Sequence, residues 1–432
     1  MPNSWQYDLP MDLFNTVASG NSISLQNANI GVSIFDLRTH EWTAGELCPD
    51  EDYDSGYIQH SPGGTAVNYL DRFIISHGGF VGNSSSNQLS FFDIHTSKQV
   101  HVIGRPSMFE EDDLTDTEEP IAFPRFHPHE HSVEGDPSVD IQSITVKGDW
   151  PRARDKHCAC IHGPFMILMG GWARFSELDD LYRDEGQDHA HISAEHTNQA
   201  WLSSMHILDL RDLFTRQEVT WHRIAIDKGV PWPAPRAAFT LTPAPTQHCL
   251  YLFGGRTKDA RCNDFWRFDL LRGEWTELAP TNAADQDRPA PRSWHVAELL
   301  HDRWLYIQGG LTVRDHAPPH GDLWAYDTCE AQWHRIDAPV HARLWHASCL
   351  WNETLLLFGG AVRRQPLRTQ VIGPAVCLLQ LALPSLEQLC LRACAKDMPQ
   401  AENKQASQNT IVINIQTGET TSRDKKECVH LA

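Results

Sequence analysis

Basic charge is scarce in this chain: 36 Lys and Arg stand against 56 Asp and Glu, a formal net charge of −20. Non-specific binding to nucleic acid or to an anionic membrane surface needs a basic face, so neither is expected. The 11 Cys include no CxxC pair and follow no regular spacing. Cys158 and Cys160 sit two apart, and most others fall in apolar runs such as those around Cys249 and Cys349. That usage predicts reduced, mostly buried thiols in a cytoplasmic or nuclear chain rather than a disulfide scaffold. No apolar run reaches the length of a membrane span, and the opening MPNSWQYDLPMDLFN lacks the basic-then-apolar order of a signal peptide. Also missing are GxSxG, HExxH and a phosphate-cradling Gly-rich loop, so neither catalytic residues nor a cofactor is expected. HPHEH (His127, His129, His131) and HAH (His189, His191) have no Cys partner at ligand spacing, and no metal site is expected from them.

What the chain does have is repetition. Five times an apolar, strand-like run ends in a Gly pair: FIISHGG at Gly79, FMILMGG at Gly171, LYLFGG at Gly255, WLYIQGG at Gly310 and LLLFGG at Gly360. An aromatic followed seven positions later by Trp recurs as Phe268–Trp275 and Tyr326–Trp333, and as Phe35–Trp42 where no Gly pair precedes. Upstream of the pairs runs a third series around Arg154, Arg236, Arg292 and Arg343. Gly255 to Gly310 spans 55 residues and Gly310 to Gly360 spans 50, whereas the earlier intervals of 92 and 84 require insertions. Residues 106–146 (acidic, Pro- and His-rich, including Glu110 to Asp113) and 176–200 have no periodicity and read as long loops.

Gly pairs followed by a spaced aromatic and Trp resemble kelch repeats, over roughly residues 20 to 383. One such repeat folds as a four-stranded blade that cannot bury both faces alone. With Phe35–Trp42 as a degenerate first blade and residues 371–381 completing the last, the expectation is an all-β, six-bladed propeller. Residues 1–19 would be an N-terminal extension. Stacking repeats about one axis puts equivalent positions in a ring at the channel mouth. Counting back from the second Gly of each pair gives Lys156, Ala238, Trp294 and Trp345: a cation, a small residue and two indoles, which suits a peptide pocket. After the Gly pair at 255, Arg256, Lys258 and Arg261 cluster in an otherwise acidic chain. Two guanidinium groups with the Ser293 hydroxyl would clamp a carboxylate; blade-to-blade salt bridges to nearby acids are the alternative.

GGRTKDARCNDFWRFDL, PRSWH and RLWH look like blades of the kelch domain-containing proteins 1, 2 and 3, substrate receptors of cullin-RING ubiquitin ligases. Those receptors take the extreme C-terminus of substrates, typically ending in Gly, in the propeller pocket. The resemblance implies that Arg256, Arg261 and Ser293 hold the terminal carboxylate. It implies too that Trp294, Trp345, Trp201, Trp172 and Lys156 line the remainder. In PSLEQLCLRACAK, residues 384–396, Leu386, Leu389, Cys390 and Ala393 recur at helical spacing, with Ser385 as N-cap. This run is similar to the BC-box through which such receptors bind elongin C, with Leu386 and Cys390 as the contacts, so elongin B/C and a cullin are the implied partners. Where the family continues with a Pro-containing apolar segment that meets the cullin, Met398-Pro399 is followed here by polar QAENKQASQN. Residues 397–432 read as a flexible polar tail. A kelch scaffold without ligase assembly, for instance cytoskeletal, is the second reading. An enzyme like the copper or iron propellers is the third, although no Tyr/Cys/His set recurs at equivalent ring positions.

Overall fold

The computed structural model describes residues 63–104, 121, 135–174, 199–279 and 287–381 apart from short loop stretches. It also describes the strands within 15–44, 190–192, 410–414 and 420–421. Six blades of mainly antiparallel strands follow one another. Blade I holds β1 (Asn15–Ser19), β2 (Ser22–Asn27), β3 (Gly31–Asp36) and β4 (Trp42–Ala44). Blade II holds β5 (Thr65–Tyr69) and β6 (Phe73–His77), a small β7 (Phe80–Val81) and β8 (Ser84–Ser85) hairpin, then β9 (Leu89–Asp93) and β10 (Lys98–Ile103). After β11 (Ser143–Gly148) and β12 (Arg154–Asp155), blade III is built from β13 (Cys158–His162), β14 (Phe165–Arg174), β15 (Ala190–Ile192), β16 (Gln199–Asp209) and β17 (Glu218–Arg223). Blade IV is β18 (Thr240–Ala244), β19 (Cys249–Phe253), β20 (Phe265–Asp269) and β21 (Glu274–Glu277). Blade V is β22 (Val296–Leu300), β23 (Trp304–Gln308), β24 (Leu323–Asp327) and β25 (Gln332–Ile336). Blade VI is β26 (Ala347–Trp351), β27 (Thr354–Phe358), a β28 (Ala361–Arg364) and β29 (Gln370–Ile372) hairpin, and β30 (Val376–Gln380).

The innermost strands close a ring: β1 neighbours β5, and β13, β18, β22 and β26 follow in turn, with β26 returning to β1. This is the six-bladed, all-β propeller that the repeats predict. The propeller begins earlier than expected, because β1 falls within residues assigned to an N-terminal extension. Both long insertions contribute strands. β11 pairs in parallel with β10 on one side and β17 on the other, tying the outer edges of blades II and III into one sheet. β15 lies along β16. The tail differs too: β31 (Thr410–Asn414) pairs in parallel with β30, and β32 (Thr420–Thr421) pairs with β31, so the fourth strand of blade VI comes from residues expected to be flexible. The 384–396 segment, with Leu386 and Cys390, lies outside the described residues.

Why these residues make blades is visible in β19 (CLYLF) and β27 (TLLLF), each buried along its whole length. A strand sandwiched between two blades turns alternate side chains to each neighbour. Leu250 and Leu252 therefore join Ile167, Met169 and Met205 of blade III, while Tyr251 and Phe253 join Leu305, Ile307 and Trp324 of blade V. The seven-residue aromatic–Trp offset is a hairpin register. Phe268 pairs with Trp275, Tyr326 with Trp333 and Phe35 with Trp42 across the third and fourth strands. Phe268, Trp275, Tyr326 and Trp333 are buried, and full burial of such a ring contributes roughly 1.5–3 kcal/mol.

In the Gly pairs, Gly170, Gly254 and Gly309 answer to the next blade, whereas Gly171, Gly255, Gly310 and Gly360 pack against the residues leading into their own blade's inner strand. A Cβ on Gly309 would lie 2.6 Å from the Arg343 carbonyl and 2.7 Å from His346 Cε1; on Gly170 it would lie 2.8 Å from Phe239 Cε1. The Arg series is equally architectural. Arg236 donates from Nη1 to the Gly254 carbonyl (2.9 Å) and grips Asp264 with both terminal nitrogens (2.7 and 2.6 Å). Arg292 repeats this with Gly309 (3.1 Å) and Asp322 (2.8 Å twice). Trp266 and Trp324 donate their indole N–H to the same carboxylates at 2.7 Å. Burial alone would raise the Asp322 pKa, but the bonds and charge of Arg292 overrule it and hold the carboxyl down at about 2. These arginines tie each blade's first loop to its Gly pair and are not available to a ligand.

Candidate functional site

The counted ring positions share one backbone state. Lys156, Ala238, Trp294 and Trp345 all take left-handed φ values between 53° and 57°, and Gly63 (φ 78°), absent from the count, is their blade II equivalent. For a side chain as large as Trp this conformation is unfavourable by about 1–2 kcal/mol, and such strain persists where surroundings over-determine it. Here the determinant is a backbone chain around the mouth. Lys156 N–H donates to the Gly63 carbonyl (2.7 Å), Ala238 N–H to Lys156 (2.8 Å), and Trp294 N–H to Ala238 (3.0 Å). Just outside it, residues before the ring position pair with residues after the Gly pair: Asp155 with Trp172, Ala237 with Arg256, and Ser293 with Leu311.

Blades IV and V gather the predicted carboxylate group. Arg256 and Arg261 face each other across a short bridge, and Arg261, 7% exposed, donates from Nε to Ser293 Oγ at 2.8 Å across the blade boundary. Its guanidinium carbon stands 5.7 Å over the Trp294 ring, and Trp294 meets Trp345 edge-on with centroids 5.3 Å apart. The Arg256 side chain makes no ion pair or hydrogen bond among the described residues, so the alternative of blade-to-blade salt bridges has no support there for Arg256. Ser293 is fully buried and held by a cation, not by a base, so nothing activates its hydroxyl as a nucleophile.

The other predicted residues form two separate groups. Trp172 and Trp201 are paired in register on β14 and β16, edge-to-face at 4.1 Å, in the part of blade III that continues past its Gly pair. Lys156 is not a bare cation: it is ion-paired to fully buried Asp155, which also accepts from Ser85 Oγ (3.0 Å), and its ammonium sits 4.4 Å over Phe80. Asp155, Ser85 and Phe80 escaped the sequence reading, although Asp155 is to blade III what Ser293 is to blade V. The mouth is therefore polarised. Charge at blades II–III is self-compensated, while blade IV presents guanidinium groups beside an indole pair.

The KLHDC2/KLHL20/DRC7 kelch-repeats domain matches residues 186–360, a stretch holding Arg256, Arg261, Ser293, Trp294 and Trp345. Over residues 186–360 this chain is similar to the kelch-repeat family, and its fold is an all-β propeller. Kelch domain-containing protein 2 of Bos taurus is 28% identical over 263 residues, 60% of this chain and 61% of that protein. Kelch domain-containing protein 1 of Homo sapiens is 30% identical over 220 residues, 50% of each. The kelch match thus spans about half to three fifths of these relatives' length. The solved structure of YjhT superposes with a TM-score of 0.52 at 13% identity, covering 84% of this chain and 98% of that one, which speaks to the fold alone.

Proposed function

We propose that the propeller mouth binds the C-terminal segment of partner proteins and that the chain serves as a substrate-recognition subunit of a cullin-RING ubiquitin ligase. In this reading the terminal carboxylate, typically after Gly or Ala, is held by Arg256, Arg261 and Ser293. Trp294, Trp345, Trp172, Trp201 and Lys156 enclose the preceding residues, and residues 384–396 engage elongin C through Leu386 and Cys390. The observation that carries it is the Arg261–Ser293 pair, withdrawn from water beside two strained indoles. A guanidinium in such a place gains most from a planar anion, and a chain terminus reaches a ring mouth more easily than an internal segment does. Pairing of Lys156 with Asp155 directs that anion to blades IV–V. No residue of the chain itself transfers ubiquitin in this scheme.

The test is binding of peptides ending in a free Gly carboxylate against their C-terminal amides. Amidation, Arg256→Ala and Arg261→Ala are each expected to cost on the order of 2 kcal/mol or more, about thirtyfold in affinity. Equal affinity of acid and amide would refute the clamp. Retention of elongin C by the full chain, lost on substitution of Leu386 and Cys390, separates a ligase receptor from a scaffold, which would never retain it.

A further inference from the structure

The six inner strands carry a single residue of the Asp, Glu, Lys and Arg group, Glu298 in β22. It sits on the seam between blades V and VI, below the Trp294–Trp345 pair that crosses the same seam. Ser348 of β26 donates its hydroxyl to Glu298 Oε1 at 2.7 Å. Tyr306 lies directly across β23 in register, and Cys349 follows Ser348. Other ionisable groups on the seam are His346, two residues before Ser348, and Arg343, which donates to the Gly359 carbonyl. No cation pairs with Glu298 among the described residues.

We propose that Glu298 is a positioning residue for the Trp294–Trp345 pair: its protonated carboxyl keeps the seam between blades V and VI closed, its ionisation loosens the seam, and ligand binding at the mouth is therefore linked to proton uptake. Glu298 is partly buried, and an ionised carboxylate here has one protein donor, the Ser348 hydroxyl, so ionisation favours drawing more water between β22 and β26. The protonated acid needs no such hydration. Burial pushes the carboxyl up to about 7, with the Ser348 bond pulling the other way, which puts the change at neutral pH. The sign follows. A carboxyl raised above its unfolded value contributes stability that is complete below the unfolded pKa and lost as pH rises through the folded one.

The linkage rests on the mouth being the ligand site; the seam does not. Hydrogen exchange of β22 and β26, corrected for intrinsic rates, is measured on the ligand-free full chain at pH 6 and 8.5. Protection should fall at the higher pH in the native protein and stay level in Glu298→Gln. Affinity for a peptide ending in a free Gly carboxylate should weaken about fivefold or more over the same interval, and become pH-independent in Glu298→Gln. Ser348→Ala keeps the charge and should keep the pH dependence. Exchange that is flat in the native protein, or equally sloped in Glu298→Gln, overturns the proposal. Peptide affinity that is flat while exchange responds overturns the linkage. Failure of every peptide to bind at either pH overturns the ligand reading and leaves the seam to the exchange data.

Discussion

Gly309→Ala tests whether the first Gly of a pair exists for contacts between blades. Gly309 has φ 74°, and an added Cβ would meet the Arg343 carbonyl at 2.6 Å and His346 Cε1 at 2.7 Å, both on blade VI. Neither neighbour is a loose end. Arg343 and His346 are buried, and the Gly309 carbonyl accepts from Arg292 (3.1 Å). Positive φ alone disfavours Ala by about 1–2 kcal/mol. Overpacking adds roughly 1–3 kcal/mol, and disturbing the Arg292 bond about 1.5 more. The sum is about 3.5–6.5 kcal/mol. Gly229 is the matched control: its φ of 86° is as strained, yet nothing lies within 4 Å of the added Cβ. Gly229→Ala should therefore cost only the backbone part. Urea denaturation followed by tryptophan fluorescence compares the two directly, because both variants share the same denatured chain chemistry. If Gly309→Ala is no more destabilising than Gly229→Ala, the glycines serve local chain bending and the inter-blade account is wrong.

His346 is buried with neither ring nitrogen bonded among the described residues, whereas Thr65 meets His157 Nε2 at 3.1 Å and Thr240 meets His295 Nε2 at 3.2 Å. Val296 occupies the corresponding first position of its inner strand, so Val296→Thr should stabilise by about 0.5–1.5 kcal/mol in the same denaturation assay, and a loss of stability would refute the pairing. Acid should unfold the protein early. Burial holds His77 and His295 down at about 3 and keeps His157, His206 and His346 well below the usual range, so stability is complete above the unfolded value of 6.5 and lost as pH falls toward 3. Each buried imidazole contributes a slope of up to about 1.4 kcal/mol per pH unit. A melting temperature that is level from pH 6.5 to 4 would contradict the neutral, buried state.

The blade frame was legible because a closed ring forces the same local problem on every repeat. One glycine must accept the next blade's His or Phe, and one buried Arg must cap that glycine's carbonyl. The solutions therefore recur in sequence at nearly the same offset, down to the register that pairs Phe268 with Trp275. What the repeats do not share stayed hidden. β11 joins two outer edges through a parallel pairing that carries no local signature, and it lies in a stretch whose acidic, Pro-rich neighbours read as loop. β31 reaches blade VI from beyond a 29-residue connection, 381–409, and only its short TIVIN run marks it.

The ring positions show why one part of the site could be counted out and another could not. Lys156, Ala238, Trp294 and Trp345 fall 15 to 17 residues before the second Gly of their pairs because the link between neighbouring blades demands a left-handed residue there, whatever its side chain. Chemistry is thus free to vary at a position the fold holds constant, and sequence alone finds the position. Whether a cation at such a position is available depends on the residue before it, which varies independently. Asp155 is ion-paired with Lys156, whereas Ser293 accepts from Arg261 Nε and fixes its orientation. Exchanging the two environments follows from this. Ser293→Asp should place a competing carboxylate against Arg261 Nε and weaken a carboxylate ligand by at least tenfold, on the scale of other interfacial charge substitutions. Asp155→Ser should release Lys156 and leave the affinity equal or higher. Peptide titration of the two variants decides it: loss of binding in Asp155→Ser but not in Ser293→Asp would place the anion at blade III and invert the polarity argued for the mouth.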